Sequence, residues 1–439
     1  MRRGRRRRSG RRSSLRTLVL AAALLSSARA RGNGAFPDEF SIHFPAGAPN
    51  RILVGANFGL LVSEDDGATW RYSCEPYVTS GSSAALSQAL VRFYQLTADG
   101  AILADSNNVT RSVDIGCTWP TSGGSIAGQV VTDVFADPND PSFVLAIVAT
   151  VQGTFIVGSH DGGQSFGATL YSTTGVLTGI EISRATPGVV YATEVSVNGQ
   201  TSKLLRSIDS GSHWTPMTIP TPAGTQPRIL GIDPESADTV YVRLLTGTTD
   251  AIGVTTNGGA TFDVPLSITG AFSSFLRASD RTLYAGTLAG DLWVRPPGGT
   301  SFQLRTGPHL RCLGQRPGAT RIYACGDMFL DGFSVGTSDD GAMTFQHVMK
   351  FTELKGPLTC PEVQTACAAH WARIQQVLGL TGPDAGVTPP PDAGSSGGRA
   401  AESCASAPGG PEAILGAMAL LTALRMGVRR SGRSWTRSG

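Results

Sequence analysis

Charged side chains and long apolar runs are both scarce in this sequence. Only 16% of the residues are Asp, Glu, Lys or Arg, whereas an ordinary soluble domain has about a quarter. The apolar run near the C-terminus, residues 414–424, is eleven residues long, and a helix that spans a membrane needs about 20. The seven cysteines include no Cys-x-x-Cys pair, and the six histidines show no zinc-binding spacing. We therefore expect no metal site and no cofactor.

Basic charge is missing from the body of the chain, although the formal net charge is +3. Residues 1–30 hold ten arginines and residues 425–439 hold five, with no acidic residue in either segment. Residues 31–424 therefore carry 21 of the 36 basic residues and all 33 acidic ones, a net charge of −12. Nucleic-acid-binding proteins need a basic surface, so this composition excludes a nucleic-acid partner.

A repeated eight-residue motif organises the sequence. It reads Ser/Thr-x-Asp/Asn-x-Gly-x-Thr/Ser-Trp/Phe in four copies; a fifth copy has His213 in place of the Thr or Ser, and in a sixth Ala342 replaces the glycine. The closing aromatics lie 49, 47, 48, 48 and 83 residues apart, and the last interval has room for a degenerate copy at 298–302. The defining residues of the six copies are Asp65, Gly67 and Trp70; Asp114, Gly116 and Trp119; Asp161, Gly163 and Phe166; Asp209, Gly211 and Trp214; Asn257, Gly259 and Phe262; and Asp340 and Phe345.

The motif predicts a tight hairpin turn. An Asp or Asn side chain accepts hydrogen bonds from backbone N–H groups two residues on, and glycine supplies a positive φ. The aromatic residue would then begin the next strand. Each carboxylate set is too small for calcium, which takes six to eight oxygen ligands, so we interpret these residues as structural.

The spacing of the motif predicts an all-β repeat fold. Periods of 40 to 50 residues are typical of solenoids and propellers, and each period contains runs of Val, Ile, Tyr and Thr separated by turn residues. In one period, for example, strands are expected at 130–136, 143–150 and 153–158, followed by a strand that begins at Phe166. Residues 39–352 would make seven blades of about 45 residues, and a six-bladed ring with an inserted hairpin is the alternative.

The six motif copies resemble the Asp-box, or BNR repeat, of β-propellers. That superfamily includes sialidases, xyloglucan-active endoglucanases, sortilin-like receptors and photosystem II assembly factors. The resemblance covers residues 39–352 and implies that each box lies on the outer hairpin between the third and fourth strands of a blade. This position is away from the central binding face.

The N-terminal segment predicts export. Its basic region, the apolar run 18–25 and the small-x-small sequence that ends at Ala30 are typical of a secretory signal over residues 1–30. Export by the Sec route is favoured over export by the twin-arginine route, whose signal the Arg11-Arg12 pair resembles. In an oxidising compartment, six cysteines can form three disulfides. Of the fifteen connectivities we expect neighbours to pair, as Cys74 with Cys117, Cys312 with Cys325 and Cys360 with Cys367.

The C-terminal region is divided into three segments after the propeller domain at 31–359. Apolar residues at steps of three and four predict an amphipathic helix at 360–380 that packs on the propeller, and His370 on it is interpreted as a packing residue. Residues 381–403 form a linker rich in Pro, Gly and Ser. Residues 404–439 contain Cys404, the apolar run and a terminal arginine cluster. This tail resembles the MYXO-CTERM sorting signal, which implies processing near Cys404 and display at the outer surface; a plain C-terminal membrane anchor is the alternative.

Two functions of different classes remain open. The favoured one is a non-catalytic, monomeric, secreted or surface-anchored propeller that binds a protein or glycan on its loop-rich face. The alternative is an exported glycoside hydrolase, which would use two of the carboxylates assigned to inner strands, Asp133, Glu181 and Asp233. A typical sialidase is disfavoured, because no Arg-Ile-Pro precedes the first box and because Arg111 and Arg206 directly precede boxes, which predicts outer-hairpin positions for both.

Overall fold

The computed structural model describes residues 39–80, 93–105 and 108–381. The predicted export signal, the linker beyond Thr381 and the C-terminal tail with Cys404 lie outside these residues. The described chain is a seven-bladed β-propeller, which confirms the predicted fold class. The six-bladed alternative is wrong, because the degenerate motif at 298–302 belongs to a complete blade of its own.

Each blade is an antiparallel sheet whose strands follow one another from the channel outward. The strands of blades 1 to 3 are β1 (Glu39–His43), β2 (Ile52–Ala56), β3 (Gly59–Ser63) and β4 (Arg71–Cys74); β5 (Phe93–Leu96), β6 (Ile102–Asp105) and β7 (Val109–Ser112); and β9 (Val130–Ala136), β10 (Val144–Thr150), β11 (Gly153–Ser159) and β13 (Thr169–Thr173). Two short strands pair in parallel between blades 2 and 3, namely β8 (Gly123–Gly124) and β12 (Ser165–Phe166).

Blades 4 to 7 have four strands each. They are β14 (Val176–Ile182), β15 (Val190–Val195), β16 (Ser202–Ser207) and β17 (Thr215–Ile219); β18 (Gln226–Ile232), β19 (Val240–Thr246), β20 (Thr249–Thr255) and β21 (Asp263–Thr269); β22 (Phe272–Arg277), β23 (Leu283–Thr287), β24 (Asp291–Arg295) and β25 (Gln303–Thr306); and β26 (Cys312–Gln315), β27 (Ile322–Cys325), β28 (Val335–Ser338) and β29 (Gln346–Met349).

The hydrophobic cores lie between neighbouring blades. Val148 and Val157 of blade 3 share a buried cluster with Leu103 of blade 2, and every other pair of neighbouring blades shares such a cluster. Because one four-stranded sheet cannot cover both of its own faces, each blade needs its neighbours for burial. The first strands meet around the channel, and β26 of blade 7 lies against β1 of blade 1, which closes the ring.

Three further elements complete the described chain: α1 (Glu75–Val78), a short 3-10 helix (Phe351–Glu353) and α2 (Pro361–Val377). Helix α2 is the predicted amphipathic helix and buries Val363, Cys367 and Ile374. His370 lies against Tyr72, with 3.3 Å between its Nδ1 and the tyrosine hydroxyl, as the packing interpretation predicts. Among the residues that the structure describes, no helix is long and apolar enough to cross a membrane.

The disulfide bonds correct two of the three predicted pairings. Cys312 and Cys325 are bonded across the β26–β27 hairpin as predicted. The pairs Cys74 with Cys117 and Cys360 with Cys367 are wrong, because Cys74 is bonded to Cys367 and Cys117 to Cys360. The reason is the path of the chain after blade 7, which returns along the outer edge of blade 1.

That returning segment forms a clasp, which we define as residues 354–377. Pro357 pairs in parallel with Tyr72 of β4. Lys355 N–H donates to the Trp70 carbonyl at 2.9 Å, and Leu358 N–H donates to the Tyr72 carbonyl at 2.9 Å. The clasp then binds covalently to blade 1 through Cys367 and to the motif of blade 2 through Cys360. Among the strands that the structure describes, none belongs to both blade 1 and blade 7, so the clasp supplies a covalent connection between the two ends of the ring.

Candidate functional site

The six motif copies form one conserved turn geometry within this chain. In the first, Gly67 N–H donates to Ser63 Oγ at 2.8 Å, Thr69 N–H donates to Asp65 Oδ1 at 2.8 Å, and Trp70 Nε1–H donates to the Gly67 carbonyl at 2.9 Å. The Asp thus accepts from the amide four residues on, not two as expected. The same Asp or Asn contact recurs in the other five copies, at Thr118, Ser165, His213, Thr261 and Thr344.

Hydrogen bonds make these carboxylates strongly acidic. Burial acts to raise the pKa of Asp161, but hydrogen bonds from Ser165 and Ser159 outweigh it and lower the pKa to about 2. Hydrogen bonds from His213 and Ser207 likewise lower the pKa of Asp209 to about 2. A carboxylate that is held ionised by its own turn is suited to a structural role. Within the described residues, no three His, Cys, Asp or Glu side chains are grouped to hold a metal ion.

Three arginines on the same face join neighbouring blades. Arg111 Nε–H donates to the Gly162 carbonyl at 2.8 Å, and Arg206 Nη2 lies 2.8 Å from Asp238 Oδ1. Arg316 of blade 7 similarly lies 2.6 Å from Asp66 Oδ1 of blade 1. Arg111 and Arg206 are therefore outer-hairpin residues as expected, and they serve contacts between blades.

Asp133 and Glu181 are the two sequence candidates that the structure brings together. Asp133 Oδ2 accepts from Ile180 N–H of blade 4 at 3.0 Å, and Glu181 Oε1 accepts from Ile232 N–H of blade 5 at 3.1 Å. Each carboxylate therefore binds the inner strand of the next blade. Glu181 is half-buried, and burial, with a smaller contribution from the charge of Asp133, raises its pKa to about 7.

Asp233 does not belong to this pair. The inner strand β18 ends at Ile232, so the expectation that Asp233 lies on an inner strand is wrong. Its side chain accepts from Glu235 N–H at 2.9 Å and binds Arg277 of blade 6 at 2.9 and 3.2 Å. This Asp-Pro turn matches Asp137-Pro138 of blade 3, where Asn139 N–H donates to Asp137 Oδ1. Asp233 thus starts a turn and joins two blades.

An arginine closes the channel next to these carboxylates. Arg228 of β18 in blade 5 lies with its guanidinium carbon 4.5 Å from the ring centre of Phe93 on β5 in blade 2. Its Nη2 atom is 4.0 Å from Asp133 Oδ1. Blades 2 and 5 lie on opposite sides of the ring, so this cation–π contact spans the channel. The Arg228 side chain therefore crosses the channel at this level.

The face opposite the motif turns has a different chemistry. It is formed by the hairpins between the second and third strands and by the connections from one blade to the next. In blades 3 to 6, neither these hairpins nor the connections that lead into the blades contain Asp, Glu, Lys or Arg. The four hairpins are residues 151–152, 196–201, 247–248 and 288–290. The four connections are residues 120–129, 174–175, 220–225 and 270–271. We call this surface the uncharged face.

Apolar side chains project from the hairpin tips on this side of the ring. Their exposed fractions are 62% for Val151 in blade 3, 51% for Val197 in blade 4, 53% for Leu288 in blade 6, and 68% for both Phe329 and Leu330 in blade 7. A cavity of about 490 Å³ opens beside Val151 and is lined by Val130, Val148, Phe155 and Val157, with no charged residue. The signal for this face was available in the sequence as a repeated absence of charge, but sequence reasoning did not use it.

The loop that carries Phe329 and Leu330 is held in place by carboxylates. Asp327 Oδ1 accepts from both Phe329 N–H and Leu330 N–H, at 2.9 and 3.0 Å. Asp331 Oδ2 accepts from Asp327 N–H at 2.7 Å, and its Oδ1 lies 2.8 Å from His309 Nδ1. Two adjacent apolar side chains are therefore presented to solvent on a pre-organised loop, which lowers the entropic cost of binding.

Comparisons with known proteins support the fold. No protein-family model and no curated protein matches the chain. Among solved structures, the Dos1 propeller is similar with a TM-score of 0.50 and 10% sequence identity, and the match covers 73% of this chain and 86% of the Dos1 chain. YCF48 from Cyanidioschyzon merolae has a TM-score of 0.49 and 18% sequence identity, and the match covers 66% of this chain and 93% of the YCF48 chain. An ancestral GH74 enzyme has a TM-score of 0.44 and 16% sequence identity, and the match covers 58% of this chain and 37% of the enzyme chain. The Dos1 likeness shows the propeller fold alone, and the two weaker ones carry no argument about activity.

Proposed function

We propose that this chain is a non-catalytic binding or scaffold module that contacts a protein or glycan partner through the uncharged face. The observation that carries the proposal is the absence of charge from eight neighbouring connections in a body with a net charge of −12. Apolar side chains at the hairpin tips add a surface of the kind that marks interaction sites. A shallow, uncharged surface suits partner binding, whereas hydrolysis needs carboxylates in an open cleft.

The proposed location is the outer cell surface. Three disulfides, two of which join residues more than 200 positions apart, favour an oxidising compartment. The export signal at 1–30 and the tail at 404–439 remain predictions that agree with this compartment. The six turns carry the residues of the Asp-box, so we further propose that the propeller belongs to the Asp-box type.

One observation favours a second candidate, an exported glycoside hydrolase. Glu181 has a raised pKa of about 7, and Asp133 lies close enough to contribute to that shift. A carboxyl group with a raised pKa beside a second carboxyl group is the arrangement of acid and base in glycosidases. Against it, both groups bind backbone N–H groups of the next inner strand, and Arg228 closes the channel beside them.

Product analysis separates the two candidates. The full chain is incubated with a panel of neutral and acidic polysaccharides, and released oligosaccharides are measured by mass spectrometry. Our proposal predicts no product. Product that disappears in both Asp133→Asn and Glu181→Gln, while Asp233→Asn retains it, would replace the binding module by the hydrolase.

A further inference from the structure

The exposed apolar tips on the uncharged face and on the adjoining hairpin of blade 7, which also carries Asp327 and Asp331, have an internal symmetry. Counted from blade 5, the first neighbour on one side carries Val197 and on the other side Leu288. The second neighbours are blade 3, with Val151 and its apolar cavity, and blade 7, with Phe329 and Leu330. Blade 5 itself has the smallest hairpin residues, Gly247 and Thr248, and both are exposed.

A two-fold axis that lies in this face and passes over blade 5 brings these tips together. Such an axis turns a second propeller face to face with the first, so blade 4 meets blade 6 and blade 3 meets blade 7. Val197 then faces Leu288, and the Phe329–Leu330 pair faces the cavity beside Val151. Each contact occurs twice, as an isologous interface requires. We propose that the uncharged face binds a second copy of this chain in this arrangement.

The charge distribution favours a second copy as the occupant. Like charges meet whenever a charged face packs against its own copy, and this cost grows as the face is desolvated. The chain body has a net charge of −12, so two copies repel each other overall. The uncharged face is the part of the described surface where blades 3 to 6 present hairpins without charge.

The shapes are also complementary. Phe329 and Leu330 protrude on a loop fixed by Asp327 and Asp331, and the cavity of about 490 Å³ in blade 3 is open and lined mainly by apolar side chains. This volume falls within the range of about 300 to 1,000 Å³ that is typical of sites that accept apolar groups. The cavity extends from the hairpin of blade 3 to the connection that leads into this blade, and the Phe329–Leu330 loop is the corresponding hairpin of blade 7. Gly247 and Thr248 leave room for close approach at the axis.

This inference rests on the proposed function, because it names the partner of the same face. It differs from the sequence-based expectation of a monomer. The experiment is sedimentation velocity of the full chain over about 1 to 100 µM, a range in which specific interfaces of standard size associate. The expected result is a monomer–dimer equilibrium whose dissociation constant rises at least about tenfold in Phe329→Ser/Leu330→Ser. The matched control is Val264→Ser/Leu304→Ser, which changes two residues that are 52% and 53% exposed on outer strands.

Thr248 gives the sharpest test, because a residue on a two-fold axis meets its own copy. Thr248→Glu and Thr248→Lys should each be monomeric, and an equimolar mixture of the two should form a heterodimer. Glu and Lys at Thr256, an exposed position on the motif turn of the same blade, should leave the dimer intact. A wild-type chain that stays monomeric to about 100 µM, or a mixture of the Thr248 variants that stays monomeric, overturns the inference. Neither result affects the polysaccharide assay, so failure of the dimer and failure of the proposed function are distinguishable.

Discussion

Cys367 in the middle of α2 is bonded to Cys74 at the last residue of β4, 293 positions earlier in the chain. The bond fixes the clasp to blade 1, and Cys360 fixes it to blade 2 through Cys117. Within the described part of the chain, the ring is therefore closed by packing of β26 on β1 and by a covalent clasp, and blades 1 and 7 share none of the strands found there.

The clasp disulfides should stabilise the protein more than the hairpin disulfide does. While Cys117–Cys360 remains, the Cys74–Cys367 bond closes a loop of about 50 residues, which contributes about 4 kcal/mol in the chain-entropy model, whereas a bond that closes about 15 residues contributes about 3 kcal/mol. We therefore expect Cys74→Ser/Cys367→Ser to lower the free energy of unfolding more than Cys312→Ser/Cys325→Ser. Denaturant unfolding of the two double variants measures the difference. A larger loss from the hairpin pair would contradict the role of the clasp.

Asp161 should be needed for its turn, whereas its charge should not. Asp161→Ala removes the acceptor for Ser165 N–H and should lower stability by about 1 to 3 kcal/mol. Asp161→Asn keeps an oxygen in place, as Asn257 does for Thr261 N–H in blade 5, and should cost much less. Thermal melting of the three proteins tests this, and equal midpoints for Asp161→Ala and the wild type would contradict it.

Ala342 marks a strained copy of the motif. It has φ of 62° at the position where Gly67 and its equivalents have positive φ, and a non-glycine residue in this left-handed region costs about 1 to 2 kcal/mol. Glycine also gives the unfolded chain more conformational entropy, which offsets part of the gain. Ala342→Gly should therefore raise the free energy of unfolding by about 1 kcal/mol. Ala68→Gly is the control, because Ala68 has no positive φ and should gain nothing. A midpoint that falls in Ala342→Gly would contradict the assignment.

Glu181 should destabilise the protein as the pH rises. Its folded-state pKa is about 7, above the value of about 4.3 in an unfolded chain. Between these values the folded state holds a proton that the unfolded state has lost, so stability falls as the pH rises from about 4 to about 7. Glu181→Gln should therefore be more stable than the wild type at about pH 8 and similar at about pH 4. Denaturant midpoints of the two proteins at both pH values check this. A difference between the variant and the wild type that is the same at both pH values would contradict it.

Acid should destabilise the motif turns. The pKa values of Asp161 and Asp209 are lowered to about 2, below the unfolded value of about 3.9. Their contribution is present above about pH 4 and is lost as the pH falls toward about 2. Thermal melting from about pH 5 to 2 should show this loss, and it should be smaller in Asp161→Asn/Asp209→Asn, whose turns do not titrate. Equal losses in the two proteins would rule out the turns as the cause.

The blades could be predicted from the sequence because they depend on local interactions. Ser63, Asp65, Gly67 and Trp70 lie within eight residues and satisfy one another, so their spacing records the geometry directly. The bounds of the inner strand β9 (Val130–Ala136) match the prediction for the same reason. The predicted start of the outer strand at Phe166 is three residues too early, because β13 begins at Thr169. Phe166 itself pairs in parallel with Gly124 of the preceding connection.

The long-range features could not be predicted in the same way. The pairing of Cys74 with Cys367 depends on the path of the clasp beside Tyr72, and no local pattern encodes that path. The assignment of Asp233 to an inner strand fails because the Asp-Pro pair, which it shares with Asp137, indicates a turn. The uncharged face emerges only when equivalent hairpins of different blades are compared, since no single hairpin is unusual by itself.

Hydrogen–deuterium exchange tests the central claim most directly. The full chain is measured alone at low concentration and again when saturated with an extract of surface proteins and glycans from the cells that produce it. The uncharged face predicts slower exchange at the hairpins that contain Val151, Val197, Leu288 and Phe329, with unchanged exchange in the motif turns at Asp65 and Asp209. Protection confined to the motif turns or to the inner strands around Asp133 and Glu181, or no protection at all, would contradict the account.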